Sequence, residues 1–228
     1  MWGVLGAMAV EVEAIRAGLD DPKPLRRLGY ALTQGTLGPT PVIVAQSGIG
    51  KVNAALATAA LVEAGATTMI FLGVAGGIGP GIRIGDAVVA TDLVQYDVDA
   101  DPPYTPRGRL PGEPSSWPAD PELADALAQA ARLTGATVHR GRIATGDQFI
   151  ADARRAASIG AEFSAVAVEM EGAAAAQAAT KLGLRMAVLR WISDTADETA
   201  PADFPAFCHR AADLDLAIVR ALLAPPTT

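Results

Sequence analysis

A chain of 228 residues, half of them hydrophobic, is long enough for one large α/β domain with a well-filled core. Its 18 basic residues against 25 acidic ones leave a net charge of -7, which argues against a nucleic-acid surface or a polybasic membrane patch and makes a small ligand the better expectation. Cys208 stands alone and cannot form an internal disulfide, no apolar run approaches the roughly 18 residues that would span a bilayer, and the opening Met1-Trp2-Gly3-Val4-Leu5 lacks the basic flank of a signal peptide, so the chain reads as cytoplasmic.

Trp2 to Ala7 is predicted to be a first buried strand, and Val10, Val12, Ile15 and Leu19 follow at helical spacing. Glu11 falls at that strand-to-helix junction, where an acid facing a helix N-terminus is stabilised by about 0.3 to 1 kcal/mol. Leu28 to Thr36 and Pro41 to Gln46 read as paired strands joined through the turn signal Gly38-Pro39. Ser47-Gly48-Ile49-Gly50-Lys51 then leads into a helix ending near Glu63. It is not a phosphate loop, because Ala45 and Val52 occupy the places where that motif needs Gly and Ser or Thr. Thr68 to Leu72 is another apolar strand, closing on the run Gly73-Val74-Ala75-Gly76-Gly77-Ile78-Gly79-Pro80-Gly81, whose glycines fit either a close approach to a ligand or a structural turn. Gly85 to Ala90 continues as a strand.

From Tyr96 to Asp120 prolines and acids cluster and the apolar periodicity disappears, as in a long functional or disordered loop. Pro121 to Leu133 reads as a helix and Thr137 to Thr145 as a strand. Gly146-Asp147-Gln148-Phe149-Ile150 sets two large apolar residues just past the strand end, where Phe149 fits a place in the core. Asp152 to Ile159 is helical. The apolar run Ala165-Val166-Ala167-Val168 then breaks into Glu169-Met170-Glu171-Gly172; an alanine-rich helix follows to Leu182, and a second apolar run, Met186 to Leu189, ends in Arg190-Trp191-Ile192-Ser193-Asp194. Strand, helix and strand in this order predict a βαβ unit with parallel strands. Its polar strand ends would make Glu169, Glu171, Arg190, Ser193 and Asp194 neighbours on the edge where open α/β sheets hold ligands. After the acidic loop Thr195 to Asp203, a long helix from Phe204 to Leu223 closes the chain. With no linker or internal repeat, residues 1–228 are expected to form a single domain.

His139, His209 and Cys208 lack the spacing of zinc ligands, and Ser47 has no histidine in a motif context that would activate it. The remaining candidates are Glu11, Glu171, Arg190 and Asp194, which suit either a reactive centre or a structural network of helix-capping and arginine-paired acids.

Gly6-Ala7-Met8 with Glu11, Ser47-Gly48-Ile49-Gly50-Lys51, Ala75-Gly76-Gly77, Gly146-Asp147-Gln148-Phe149-Ile150, Val168-Glu169-Met170-Glu171 and Arg190-Trp191-Ile192-Ser193-Asp194 together resemble the 5′-methylthioadenosine/S-adenosylhomocysteine nucleosidases, within the nucleoside phosphorylase superfamily. The resemblance runs almost end to end. It implies an α/β fold of three αβα layers around a central mixed, partly closed sheet. It also implies a homodimer serving methionine salvage and hydrolysis of an N-glycosidic bond without metal or cofactor. Asp194 would be the general acid at adenine N7, positioned by Ser193, and Glu11 would orient or deprotonate the attacking water, with Arg190 as its electrostatic partner. Glu171 and Met170 would hold the ribose beside Glu169. Phe149, Ile150 and Val168 would surround the base, Ala75 and Gly76 would border the substrate, and Met8, Ile49 and Phe204 would line an apolar 5′ pocket. The segment from Tyr104 to Pro111 would reach a partner subunit's site.

The family's usual serine before Ala-Gly-Gly is Val74 here, which cannot hydrogen-bond to water or ribose. That departure keeps three alternatives in view: a futalosine hydrolase, a phosphorylase of the same fold, and a non-catalytic nucleoside-binding protein. The acid at Glu11, in the region where the phosphorylases carry an arginine-bearing loop, favours water over phosphate.

Overall fold

The computed structural model describes residues 1–100, 106–195 and 204–224. The elements in chain order are β1 (Trp2–Gly6), α1 (Ala9–Ala17), β2 (Asp20–Arg27), β3 (Tyr30–Leu37), β4 (Thr40–Gln46), α2 (Lys51–Glu63), β5 (Thr68–Gly77) and β6 (Ala87–Gln95), followed by β7 (Trp117–Pro118), α3 (Pro121–Leu133), β8 (Val138–Thr145), α4 (Ala153–Phe163), β9 (Ala165–Glu169), α5 (Gly172–Leu182), β10 (Arg185–Asp194) and α6 (Phe204–Leu223). Alternation along the strands divides the core into two faces. Val4, Val42, Val44, Ile70, Leu72 and Leu189 pack with α1, α3 and α6, while Leu5, Ile43, Phe71, Met69 and Val188 pack with α2 and α5. Each fully buried aliphatic of this kind contributes about 1.5 to 3 kcal/mol, and the two faces together make the expected three layers.

β5 is the hub of the sheet. One of its edges pairs in parallel with β10 along most of its length, and the other pairs in parallel with β1 at Thr68 to Phe71 and then antiparallel with β9 at Gly76 and Gly77. Strands β5, β10, β6, β8 and β9 thereby close into a ring, from which β1, β4, β3 and β2 extend as a flange. The glycine run after Leu72 is therefore largely strand, not turn: residues 73 to 77 belong to β5, and Gly76 pairs with both Asp194 and Val168.

The expected parallel βαβ pair is not formed. β9 and β10 do not pair with each other, and each route between them around the ring contains one antiparallel step, β10 with β6 or β5 with β9. Their polar ends still meet, because ring closure at Gly76 brings the last residues of β5, β9 and β10 together. The charged, proline-bearing stretch Asp20 to Arg27 is a further strand that periodicity does not reveal. It forms the sheet's outer edge, pairing antiparallel with β3, and an edge tolerates Pro22, Pro24 and lysine where an interior strand would not.

Candidate active site

At the meeting point of β1, β5, β9 and β10 lies a cavity of about 230 Å³. The acids Glu11, Glu171 and Asp194 border it together with Ser193 and Glu169, and Met8, Ile49, Phe149 and Phe204 supply its apolar wall. Ala75, Gly76, Ile150, Val168 and Met170 complete the enclosure. Ala7 and Gln148, which no motif singled out as pocket residues, also line it, and so does Val74, an apolar residue where the family's serine would contact water or ribose. Arg190 is absent from the lining and lies behind it. Tyr104 is outside the described residues, and Pro111 is exposed and borders no part of this chain's own cavity.

Glu11 is the third residue of α1, so one turn of helix carries its carboxylate back over the helix start. Oε2 accepts from the backbone N–H of Ala7 (2.7 Å) and of Met8 (2.8 Å), and Oε1 accepts from the N–H of Val74 (3.2 Å). Both readings of this residue therefore hold at once, since the side chain caps α1 and faces the cavity. Burial raises its pKa, with Arg190 and the three amides pulling the other way. The carboxylate sits directly over Gly73, where φ is +155° and a Cβ would lie 2.6 Å from Glu11 Oε1 and 3.0 Å from Arg190 Nη1. Only glycine leaves that space open.

Arg190 is 1 % exposed, and its ion-pair partner is Glu169 rather than Glu11: Nη2 and Nε lie 2.8 and 3.3 Å from Glu169 Oε2. The guanidinium also covers the ring of Phe71 at 4.1 Å. Glu169 in addition accepts from the N–H groups of Glu171 (3.1 Å) and Gly172 (2.8 and 3.0 Å) and from Thr145 Oγ1. A carboxylate so completely engaged has little capacity left for a ligand. Residue 169 borders the cavity, and its side chain also anchors the start of α5. Arg190 Nη1 has no hydrogen-bond partner among the described residues and faces the side of Gly73 and Glu11.

Glu171 is the residue immediately before α5 and is buried close to Glu169. Burial first, and the neighbouring carboxylate second, push its pKa up to about 7, while Arg190 and a hydrogen bond from Gly50 N–H to Oε1 (2.8 Å) hold it down. Ser193 Oγ donates to Asp194 Oδ2 at 2.8 Å, and both residues are buried at the end of β10. Phe149 is 72 % exposed and Ile49 54 %, so neither belongs to the core; both are walls of the cavity mouth. The arrangement combines several carboxyls differing in hydrogen bonding and burial with a mostly apolar enclosure. Such a site can donate a proton at one point and hold a water or a cationic sugar at another.

A family model described as the phosphorylase superfamily matches residues 2–224. A protein of Exiguobacterium sp. named 5′-methylthioadenosine/S-adenosylhomocysteine nucleosidase is 38 % identical over 212 residues, covering 92 % of this chain and 91 % of its own. Among solved structures, a nucleosidase of that name from Neisseria meningitidis, in complex with methylthio-immucillin-A, superposes with a TM-score of 0.91 at 36 % identity and 97 % coverage of both chains. A structure described as the native futalosine hydrolase of Helicobacter pylori gives a TM-score of 0.90 at 35 % identity, covering 97 % of this chain and 96 % of its own. The cavity walled by strand ends, the partly closed mixed sheet and these similarities agree: the chain belongs to the phosphorylase superfamily and, within it, is similar to the 5′-methylthioadenosine/S-adenosylhomocysteine nucleosidases.

Proposed function

We propose that this enzyme hydrolyses the N-glycosidic bond of 5′-methylthioadenosine and S-adenosylhomocysteine, releasing adenine and the 5′-thio-substituted ribose. The observation that carries the reading is the convergence of Glu11, Glu171 and Asp194, from three separate stretches of chain, on one apolar cavity. Asp194, held by Ser193, protonates adenine N7 so that the base departs neutral. Glu11 orients and deprotonates the water that attacks the anomeric carbon, and buried Arg190 keeps the carboxylate's charge in check. Glu171 accepts hydrogen bonds from the ribose hydroxyls while positive charge grows on the ring; bonds to a charged group of this kind contribute about 1.5 to 3 kcal/mol.

Water is favoured over phosphate for a specific reason. The N–H groups of Ala7 and Met8, which could hold an anion at the start of α1, are already occupied by Glu11's own carboxylate. That carboxylate would also repel phosphate. We further propose a cytoplasmic homodimer acting in methionine salvage, with the Tyr104 to Pro111 segment completing the partner's site. Exposed Ile49, Val52 and Leu56 along α2 and its approach, together with Phe149, support an apolar contact on this side of the molecule.

The test is free adenine from methylthioadenosine in phosphate-free buffer. No adenine from this substrate or from S-adenosylhomocysteine would overturn the reading, and ribose 1-phosphate as product would mean a phosphorylase. Tight binding without cleavage would mean a sensor. Val74 favours one second reading, a futalosine hydrolase, because the wall beside Glu11 lacks a hydroxyl; futalosine belongs in the same substrate panel.

A further inference from the structure

Ile49 and Phe149 stand at the mouth of the cavity with more than half their surface exposed, so packing against the core does not fix them. Polar contacts at neighbouring residues do. Asp97, two residues beyond β6, places Oδ1 on Lys51 Nζ (2.7 Å) and accepts with Oδ2 from the N–H of Asp147 (3.0 Å). Asp147 Oδ1 accepts in turn from the N–H of Lys51 (2.8 Å) at the first turn of α2, and the adjacent Gly50 N–H goes to Glu171 (2.8 Å). Tyr96 reinforces the grip: its hydroxyl donates to the carbonyl of Gln148 (3.3 Å), and its buried ring fills the place where a side chain on Gly146 would go, a Cβ there lying 2.5 Å from Tyr96 Cζ. Two consecutive residues thus hold the segment 146–148 by two hydrogen bonds and the start of α2 by an ion pair. Phe149 is the next residue after the held segment, and Ile49 lies two before Lys51.

We propose that Asp97 is a positioning residue for ligand recognition, its two-sided contact setting the separation of the Ile49 and Phe149 walls. It does not line the cavity and touches no reacting group. A mouth already ordered spares the ligand the cost of ordering it, so loss of Asp97 weakens binding without disturbing the acids that carry out the reaction. The choice of ligand rests on the nucleosidase reading.

The experiment compares wild type with Asp97→Ala and the isosteric Asp97→Asn. Asp97→Ala is expected to raise KM for methylthioadenosine and Kd for adenine about tenfold, with kcat within about threefold and the thermal midpoint little changed. Asp97→Asn should fall between, because it keeps an acceptor for Asp147 and loses the ion pair. Amide hydrogen exchange at residues 147–150 should quicken in both variants. Unchanged KM and Kd, or a fall in kcat at constant KM, would overturn the proposal. If the wild-type protein releases no adenine, the functional reading fails separately, and unaltered exchange at 147–150 in Asp97→Ala would still reject the positioning role.

Discussion

Glu11 and Asp194 occupy different surroundings, and the difference bears on what each can do. Three backbone amides grip Glu11, whereas Asp194 receives the hydroxyl of Ser193. Glu11→Gln and Asp194→Asn are each expected to lower kcat by about 10²- to 10⁴-fold, with the chain still folded by circular dichroism. Adenine release near the wild-type rate in either variant removes that residue from the mechanism. In the proposed mechanism Glu171 contributes to the pH dependence. With its pKa pushed up to about 7, the carboxylate form that can accept from both ribose hydroxyls and Gly50 is gained as pH rises through neutrality. The acid limb of kcat/KM should therefore bend near pH 7, measured from pH 5 to 9. The same shift has a sign in stability: the contribution of Glu171 is fully present below its ordinary value of 4.5 and is lost as pH rises to about 7. Glu171→Gln should accordingly be more stable than wild type at pH 8, by about 1 to 3 kcal/mol, and lose that advantage near pH 4.5 in urea melts.

At the scale of elements, β5 and β10 set the geometry that those residues use. Arg190 pairs with Gly73 across the two strands, and Glu11 lies over the same glycine. Gly73→Ala would drive a methyl group into the Glu11 carboxylate, so kcat should fall at least about tenfold. A fall in thermal stability with kcat retained would show that the carboxylate can move aside at no catalytic cost. On the opposite face of β10, Trp191 Nε1 donates to Asp215 Oδ1 at 2.7 Å and fastens α6 to the sheet. Asp215 is buried, its Oδ2 has no hydrogen-bond partner among the described residues, and burial pushes its pKa well above the usual aspartate value. Its protonated form contributes stability below that usual value, and the contribution is lost as pH rises towards the folded-state pKa. Asp215→Asn keeps an acceptor for Trp191 without a titrating charge. It should unfold at higher urea than wild type at pH 8 and at the same urea near pH 3.5; a variant less stable at pH 8 would contradict the buried-acid account.

The whole molecule carries an exposed apolar strip along α2, with Val52 and Leu56 one helical turn apart and the cavity-lining Ile49 at its approach. Replacing both Val52 and Leu56 with Glu is expected to turn the proposed dimer into a monomer by sedimentation equilibrium and to reduce activity, since a partner's loop would no longer reach the site. Unaltered sedimentation would move the contact elsewhere or abolish it. The sequence by itself carried most of the order of elements and the candidate residues of the proposed site: hydrophobic period is a local property, and Glu11, Glu171, Ser193 and Asp194 stand at points where apolar runs stop. It could not reveal β2, whose prolines and charges are legible only as those of an edge, or the strand character of residues 73 to 77. It misled on β9 and β10, because a period records which face of a strand is buried and says nothing of which strand lies beside it. The pairing of Arg190 with Glu169, the exposure of Phe149 and the meeting of three strand ends at Gly76 were decided by tertiary structure alone. Each depends on contacts between residues far apart in the chain, formed when the sheet closes upon itself.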